Sequence, residues 1–342
     1  MALIKFYKPA LFRKDMDAVL QTMVDEKIGP GDRKKEFISS FCNTVGKKFG
    51  LALRSYNDMI ASSLSSLGVE EGDSVILSVL TPKVYLDVLK SNKIKPILVD
   101  VDDSMMVSAE KAKEHIDVAK AIIYYEPLCQ VPQSFDSIKE LKLPILEDIS
   151  ESIGSKFGEV KAGELGDIVI CSTEEDNIIS TAGGAVALTD DEELYTSMKN
   201  RLGSSSRYLE LPDLNASLGV VQLSNLENLL TRRNNIFKVY QQASMKSSCK
   251  MFGAGSIDFY SNGSGFAIIV NTRPDDTIEY AKKYQIVAKK TFSNAIGAKY
   301  QDRFDLYPKA IPALTRAISF PLYPFLSNVD IDTIQKVLSH IH

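Results

Sequence analysis

SVILSVLTPKVYLDVLKSNKIKPILVDVDD, residues 74–103, decides the fold of this chain. Two short apolar runs, SVILSVL and KPILVDVD, flank the stretch 84–93, which is expected to be helical. The runs are continuous rather than alternating in polarity. A strand that is apolar on both sides has to be covered on both faces, which is the situation of a parallel sheet between layers of helices. The same grammar continues downstream. A helix is expected around 108–117, a strand at AKAIIYY (119–125), a helix near 134–140 and a strand at LPILED (143–148).

Upstream, residues 14–27 have apolar positions near helical spacing and stop at IGPG (28–31), where Gly and Pro end a helix. A second helix over 33–48 places Phe37, Phe41 and Val45 on one stripe, and a third covers 54–67. From 162 to 190 the helices drop out and short strands joined by turns are expected. Helices return over 191–201 and, as one long span, over 216–246. The remainder alternates strands (GFAIIV, AISFPL) with helices (DTIEYAKKY, IDTIQKVLSHI), the pattern of a small α+β domain. The expected organisation is therefore a large domain over 14–235 with a mostly parallel sheet sandwiched by helices, and a smaller C-terminal α+β domain over 236–342, with residues 1–13 packing near the latter.

Composition removes several function classes. The 342 residues carry 40 Lys+Arg against 44 Asp+Glu, a formal net charge of −4, which leaves no basic footprint for nucleic acid or an anionic membrane. No apolar run approaches the roughly 18–20 residues of a membrane-spanning helix, and the first residues lack a secretory signal. A cytoplasmic location is the expectation. Cys42, Cys129, Cys171 and Cys249 are scattered with no paired spacing, which argues against a zinc ribbon or a disulfide framework. Of three histidines, His340 and His342 are terminal and His115 sits in the charged stretch AEKAKEHIDVAK, so a histidine-based triad or metal site has almost no raw material.

The order of short motifs adds a second line of argument. Ile28-Gly29-Pro30-Gly31, Gly72-Asp73 before Val75-Ile76, Lys95-Pro96 before Val99-Asp100-Val101-Asp102, Glu147-Asp148, Gly163 with Gly166-Asp167, and Gly183-Gly184-Ala185-Val186 follow one another along the chain. Gln222-Leu223, Arg232-Arg233 and Ser319-Phe320-Pro321-Leu322-Tyr323-Pro324 complete the series. In this order and spacing the chain resembles the DegT-like family, fold-type I sugar aminotransferases that depend on pyridoxal phosphate (PLP) and act on nucleotide-linked keto sugars.

The resemblance implies a site assembled from five parts: a Schiff-base lysine, an aspartate paired with the pyridinium nitrogen, a stacking aromatic ring, a Ser-Gly-Thr turn plus a further Ser for the phosphate, and an Asn-x-Arg from the neighbouring subunit. Asp148 matches the aspartate and Ser172 the further serine. The lysine does not appear. Counting forward from Ser172 puts Asn177 at its position, and counting back from Gly183 puts Asp176 there; no lysine occurs between Lys161 and Lys199. The phosphate turn reads Ser55-Tyr56-Asn57, so a side chain stands where glycine would let backbone approach a phosphate. The stacking position reads Thr81-Pro82, with Tyr85 three residues on as a substitute ring. The neighbour-subunit motif falls at Tyr208-Leu209-Glu210, an anion in place of a cation.

Three readings follow from the resemblance. The first is a non-transaminating homologue, a homodimer or a heterodimer with a relative, binding a nucleotide sugar or serving as a partner subunit in sugar or polysaccharide biosynthesis. The second is an altered-chemistry enzyme with PLP or its amine form held non-covalently, with Asp176 as the available base. The third is a conventional aminotransferase. The cofactor expectation is correspondingly PLP without covalent attachment, or none.

Overall fold

The computed structural model describes residues 2–253, 256 and 258–341. Seven strands form one sheet in the order Phe49–Leu53, Ala185–Thr189, Ile168–Ser172, Ile145–Asp148, Ala119–Tyr125, Ser74–Ser78, Lys95–Val99. The last five of these are mutually parallel, and the first two run antiparallel to their neighbours. The strands from SVILSVL, KPILVDVD, AKAIIYY and LPILED pair as their continuous apolar character requires. Helices close one face with a core that includes Phe37, Phe41, Ile76, Ile122 and Leu188, and the other with a core that includes Met59, Leu64, Val75, Leu89 and Ile123.

Two features differ from the sequence expectation. Phe49–Leu53 is a strand at the sheet edge, although nothing in FGLAL separates it from the helices on either side. The single span expected over 216–246 is two helices, Asp213–Ser224 and Leu226–Ser244. Asn225 interrupts them at φ −108°, ψ 7°, outside helical geometry, and its side-chain oxygen accepts from Asn228 Nδ2 at 2.9 Å. The break lets the two helices serve different layers. Leu223, Leu226 and Leu230 join the first core, whereas Ile236, Phe237, Tyr240 and Ala243 join a separate one.

That separate core belongs to a second sheet, all antiparallel, in the order Lys250–Met251, Phe266–Ile269, Ala317–Phe320, Lys289–Lys290. The N-terminal segment lies along it: Ile4 makes a parallel bridge with Ile286 and is buried among the same residues.

The IGPG motif has a concrete job. The buried carboxylate of Asp213 accepts from the backbone nitrogens of Gly31 (2.7 Å), Arg33 (3.1 Å) and Lys34 (2.9 Å), so one helix satisfies the orphan donors at the start of another. At Gly219 the two helices approach so closely that a Cβ would stand 2.4 Å from the Phe37 ring. Glu147 works in the same way inside the sheet layer, accepting from the backbone nitrogens of Gly163, Leu165 and Gly166 at 2.7–2.9 Å. Several landmark residues are thus accounted for by backbone hydrogen bonding alone.

Candidate functional site

The carboxyl ends of parallel strands are where an open α/β sheet builds its binding crevice. Asp148 ends the strand Ile145–Asp148, Ser172 ends Ile168–Ser172, and Thr81-Pro82 follow Ser74–Ser78. A cavity of about 520 Å³ opens there between the two sheets. A smaller one of about 260 Å³ adjoins it, and the two share Pro82, Tyr125, Glu151, Asp176 and Ser264.

Asp148 is 0% exposed and fully engaged. Its Oδ1 accepts from the Ser150 backbone nitrogen at 2.9 Å and from the Ser150 hydroxyl. Its Oδ2 accepts from the phenols of Tyr56 and Tyr85, the latter at 2.6 Å. The two phenol oxygens lie 3.1 Å apart, and their rings meet edge to face at 6.1 Å. Burial pushes the Asp148 pKa up, and the hydroxyls of Ser150, Tyr56 and Tyr85 hold part of that rise back. Burial, then the Asp148 charge, pushes both phenols well above the ordinary tyrosine range, so both remain donors.

Tyr56 opens the helix Tyr56–Ser66, lines the smaller cavity and donates its phenol to the aspartate. Tyr85 comes to the same carboxylate as a hydrogen-bond donor, a role distinct from the ring-stacking one expected for it. Ser150 ties the arrangement together: its hydroxyl also accepts from the Ser172 backbone nitrogen at 2.8 Å, and its carbonyl accepts from Asn177 Nδ2 at 3.3 Å.

The other expected site residues divide into two groups. Ser172, Asp176, Asn177 and Pro82 line the cleft together with Tyr56. Asn177 spends its side chain on its own loop, since Oδ1 accepts from the Glu174 nitrogen at 3.1 Å while Nδ2 binds Ser150. The Asp176 carboxylate is exposed and makes no hydrogen bond or ion pair among the described residues. Ser55 and Asn57 do not line the cleft. Ser55 Oγ caps the helix by accepting from the Asp58 nitrogen at 3.2 Å, and Asn57 is exposed on the first turn. Glu210, expected as an anion in place of a cation, is paired with Lys34 of the same chain, with both side chains largely covered. The Lys34 ammonium offsets the repulsion that an unpaired carboxylate would exert on an anion.

Several residues here escaped the sequence reading. Ser150 was within reach, because an Asp followed two residues on by Ser is a recognised local turn in which the carboxylate accepts the i+2 nitrogen. Tyr125 and Glu151 were not. Glu151 takes hydrogen bonds from the Leu128 nitrogen (2.7 Å) and Tyr125, and burial pushes its pKa up against those donors. Tyr7 also arrives from outside any motif. Its phenol donates to the Glu175 carbonyl, and burial, reinforced by Asp176, raises its pKa to about 12.

A model of the DegT/DnrJ/EryC1/StrS aminotransferase family matches residues 10–339. MJ1066, an uncharacterized protein of Methanocaldococcus jannaschii, is 26% identical over 263 residues, covering 69% of this chain and 68% of that protein. Among solved structures, Spr1654 from Streptococcus pneumoniae in its PLP form superposes with a TM-score of 0.90 at 21% identity, covering 98% of each chain. PseC from Helicobacter pylori, an aminotransferase involved in pseudoaminic acid biosynthesis, gives 0.87 at 19% identity, again over 98% of each. These structural likenesses are at the level of fold, and the family match extends over nearly the whole sequence. The chain belongs to the DegT/DnrJ/EryC1/StrS aminotransferase family.

Proposed function

We propose that this chain has kept the family's fold without its transamination chemistry, and that it works as a dimeric binding or partner subunit in sugar metabolism. One observation carries this reading. The carboxylate that would pair with a pyridinium nitrogen already accepts four hydrogen bonds from its own chain, two of them from phenols.

The family implies PLP, and the residues present do not fit it. Tyr56 takes the place of the glycine that would admit a phosphate, and it lines the small cavity. That cavity is lined by Glu151, Glu174 and Asp176 and by no lysine or arginine, an unfavourable field for a phosphate dianion. Neither Asn177 nor Asp176 supplies an amine, and the sequence holds no lysine from 162 to 198.

The dimer is part of the proposal. Met16, Leu20, Met23 and Val24 on the helix Arg13–Val24, with Ile28 just beyond it, are each more than half exposed, while the same helix buries Asp15 and Thr22. An apolar face turned to solvent beside a buried polar one is the signature of a surface meant for a partner. A second copy or an intact homologue fits the reading equally well. A nucleotide-linked sugar is the expected ligand class, by family resemblance alone.

The test is spectroscopic and covalent. Purified protein titrated with PLP should show no saturable band of bound cofactor at micromolar concentration, and borohydride should leave its mass unchanged. The variants Asn177→Lys and Asp176→Lys should behave like the parent, because the blocked aspartate and the acidic cavity remain. A stoichiometric mass increment in the parent would overturn the proposal.

A further inference from the structure

The cleft carries charge of opposite sign on its two sides. Arg233, on the helix Leu226–Ser244, is 4% exposed and lines the larger cavity together with Ser264, Lys289 and Lys290. Its Nη1 donates to the carbonyl oxygens of Gly263 (3.0 Å) and Leu322 (3.2 Å). Its Nε is buried with no partner, as is the hydroxyl of Ser264. Arg233 Nη2 makes no hydrogen bond and no carboxylate pairs with the guanidinium among the described residues. Burial lowers its pKa to about 10, opposed only by Tyr7.

A buried cation without a counter-ion is costly, and it persists where something else supplies the negative charge. The neighbouring lysines are already engaged. Lys289 sits 4.5 Å over the Phe6 ring, and Lys290 pairs with Asp275 at 2.9 Å. Among the described residues of this lining, Arg233 is the buried cation with neither a carboxylate nor an aromatic partner. From the side of the first sheet, Glu151, Glu175 and Asp176 line the same cavity. Tyr7 stands within the field of both signs, feeling Asp176, Arg233 and Glu175 together.

A purely anionic ligand would meet these carboxylates, and a purely cationic one would leave Arg233 as it is. We infer that the cleft binds a small zwitterion, a molecule with a primary ammonium and a phosphate or carboxylate, its oxyanion on Arg233 and Ser264 and its ammonium against Asp176 and Glu151. A volume of about 520 Å³ accommodates a ligand of sugar-phosphate size. The inference rests on the proposed function in one respect: it needs the carboxylates at the 174–177 loop free of a lysine-bound cofactor.

Calorimetry and thermal-shift measurements on the full chain can test it with four probes. Glucosamine 6-phosphate and 2-amino-2-deoxygluconate each carry both charges and separate a phosphate source from a carboxylate source. Glucose 6-phosphate lacks the amine, and glucosamine lacks the anion. At least one of the first pair should bind saturably, about tenfold or more tighter than either single-charge probe, the effect of one charge-assisted contact. Asp176→Asn, on an exposed loop, should reduce the zwitterion to the level of glucose 6-phosphate and leave glucose 6-phosphate itself unweakened. Arg233→Met should weaken every anionic probe about tenfold or more; Ser264→Ala gives the same test with a smaller effect if Arg233→Met does not fold. Equal binding of glucosamine 6-phosphate and glucose 6-phosphate, unchanged by Asp176→Asn, would reduce the site to a simple anion site and overturn the inference. So would the absence of saturable binding by all four probes. A borohydride-fixed cofactor would instead sink the proposed function, so the two failures are distinguishable.

Discussion

At one side of the cleft a buried carboxylate has four donors; at the other a buried guanidinium has two carbonyls and an unused Nε. Asp148 and Arg233 are both more than nine-tenths buried, yet only the first is satisfied by its own chain. A satisfied polar group gains nothing from a ligand, because any new hydrogen bond must displace an existing one. An unsatisfied group has already borne its desolvation in the free protein and gains from the first counter-charge that reaches it. In this cleft the group left to gain from a ligand is the arginine rather than the aspartate.

The largest expected effect comes from breaking the closed side. Removing both phenols with Tyr56→Phe and Tyr85→Phe leaves Asp148 Oδ2 without a donor and should cost about 3 kcal/mol of folding stability at neutral pH. The hydroxyls hold the Asp148 pKa down against burial, so without them it rises further. The double variant should therefore approach the parent as pH falls and Asp148 takes up a proton, and diverge as pH rises. Urea denaturation across pH measures both. A loss below about 1 kcal/mol would mean that the carboxylate is satisfied by other means.

A second, smaller effect lies one layer deeper. Glu126 and Glu147 are both 0% exposed and adjacent; Ser152 donates to Glu126 Oε2, while Oε1 has no donor. Burial, then the Glu147 charge and more weakly Asp148, raise the Glu126 pKa well above the ordinary glutamate value. The native state thus keeps a proton that the unfolded chain releases near 4.5, and stability falls as pH rises from there through the native pKa. Glu126→Gln should remove this falling limb. The variant should be more stable than the parent at pH 8 and close to it at pH 4, below the point where the unfolded glutamate ionises. A variant less stable than the parent at pH 8 would show that Glu126 is ionised.

How much of this was legible in the sequence follows from the range of each interaction. The central strands could be read because continuous apolar runs are a local signal. Phe49–Leu53 could not, because five residues at an antiparallel edge carry no period of their own. The break at Asn225 was hidden because Leu223, Leu226, Leu229 and Leu230 keep an apolar helical spacing across it. Asp148 was singled out by the resemblance, at the end of a buried strand. Its closure was not, since Tyr85 and Tyr56 lie 63 and 92 positions away. Arg233 read only as a landmark on a helix. It is buried because Gly263, at φ +65°, brings backbone so close that a Cβ there would stand 2.6 Å from Arg233 Cβ.

The smallest expected stability change is at the open side, and its smallness is the point. Arg233→Met roughly conserves side-chain volume and removes two hydrogen bonds to carbonyl oxygens, groups that tolerate partial satisfaction better than buried donors do. It also removes a desolvated cation that has no counter-ion. Replacing buried charge by apolar volume is often neutral, so the variant should lie within about 1 kcal/mol of the parent in urea. The difference should appear on adding inorganic phosphate: the parent gains stability in proportion to the logarithm of ligand over its Kd, and the variant gains much less. A loss of about 3 kcal/mol without ligand would mean that Arg233 holds Gly263 and Leu322 in place as a structural clamp. The two sides of the cleft would then be alike, both closed by the chain itself.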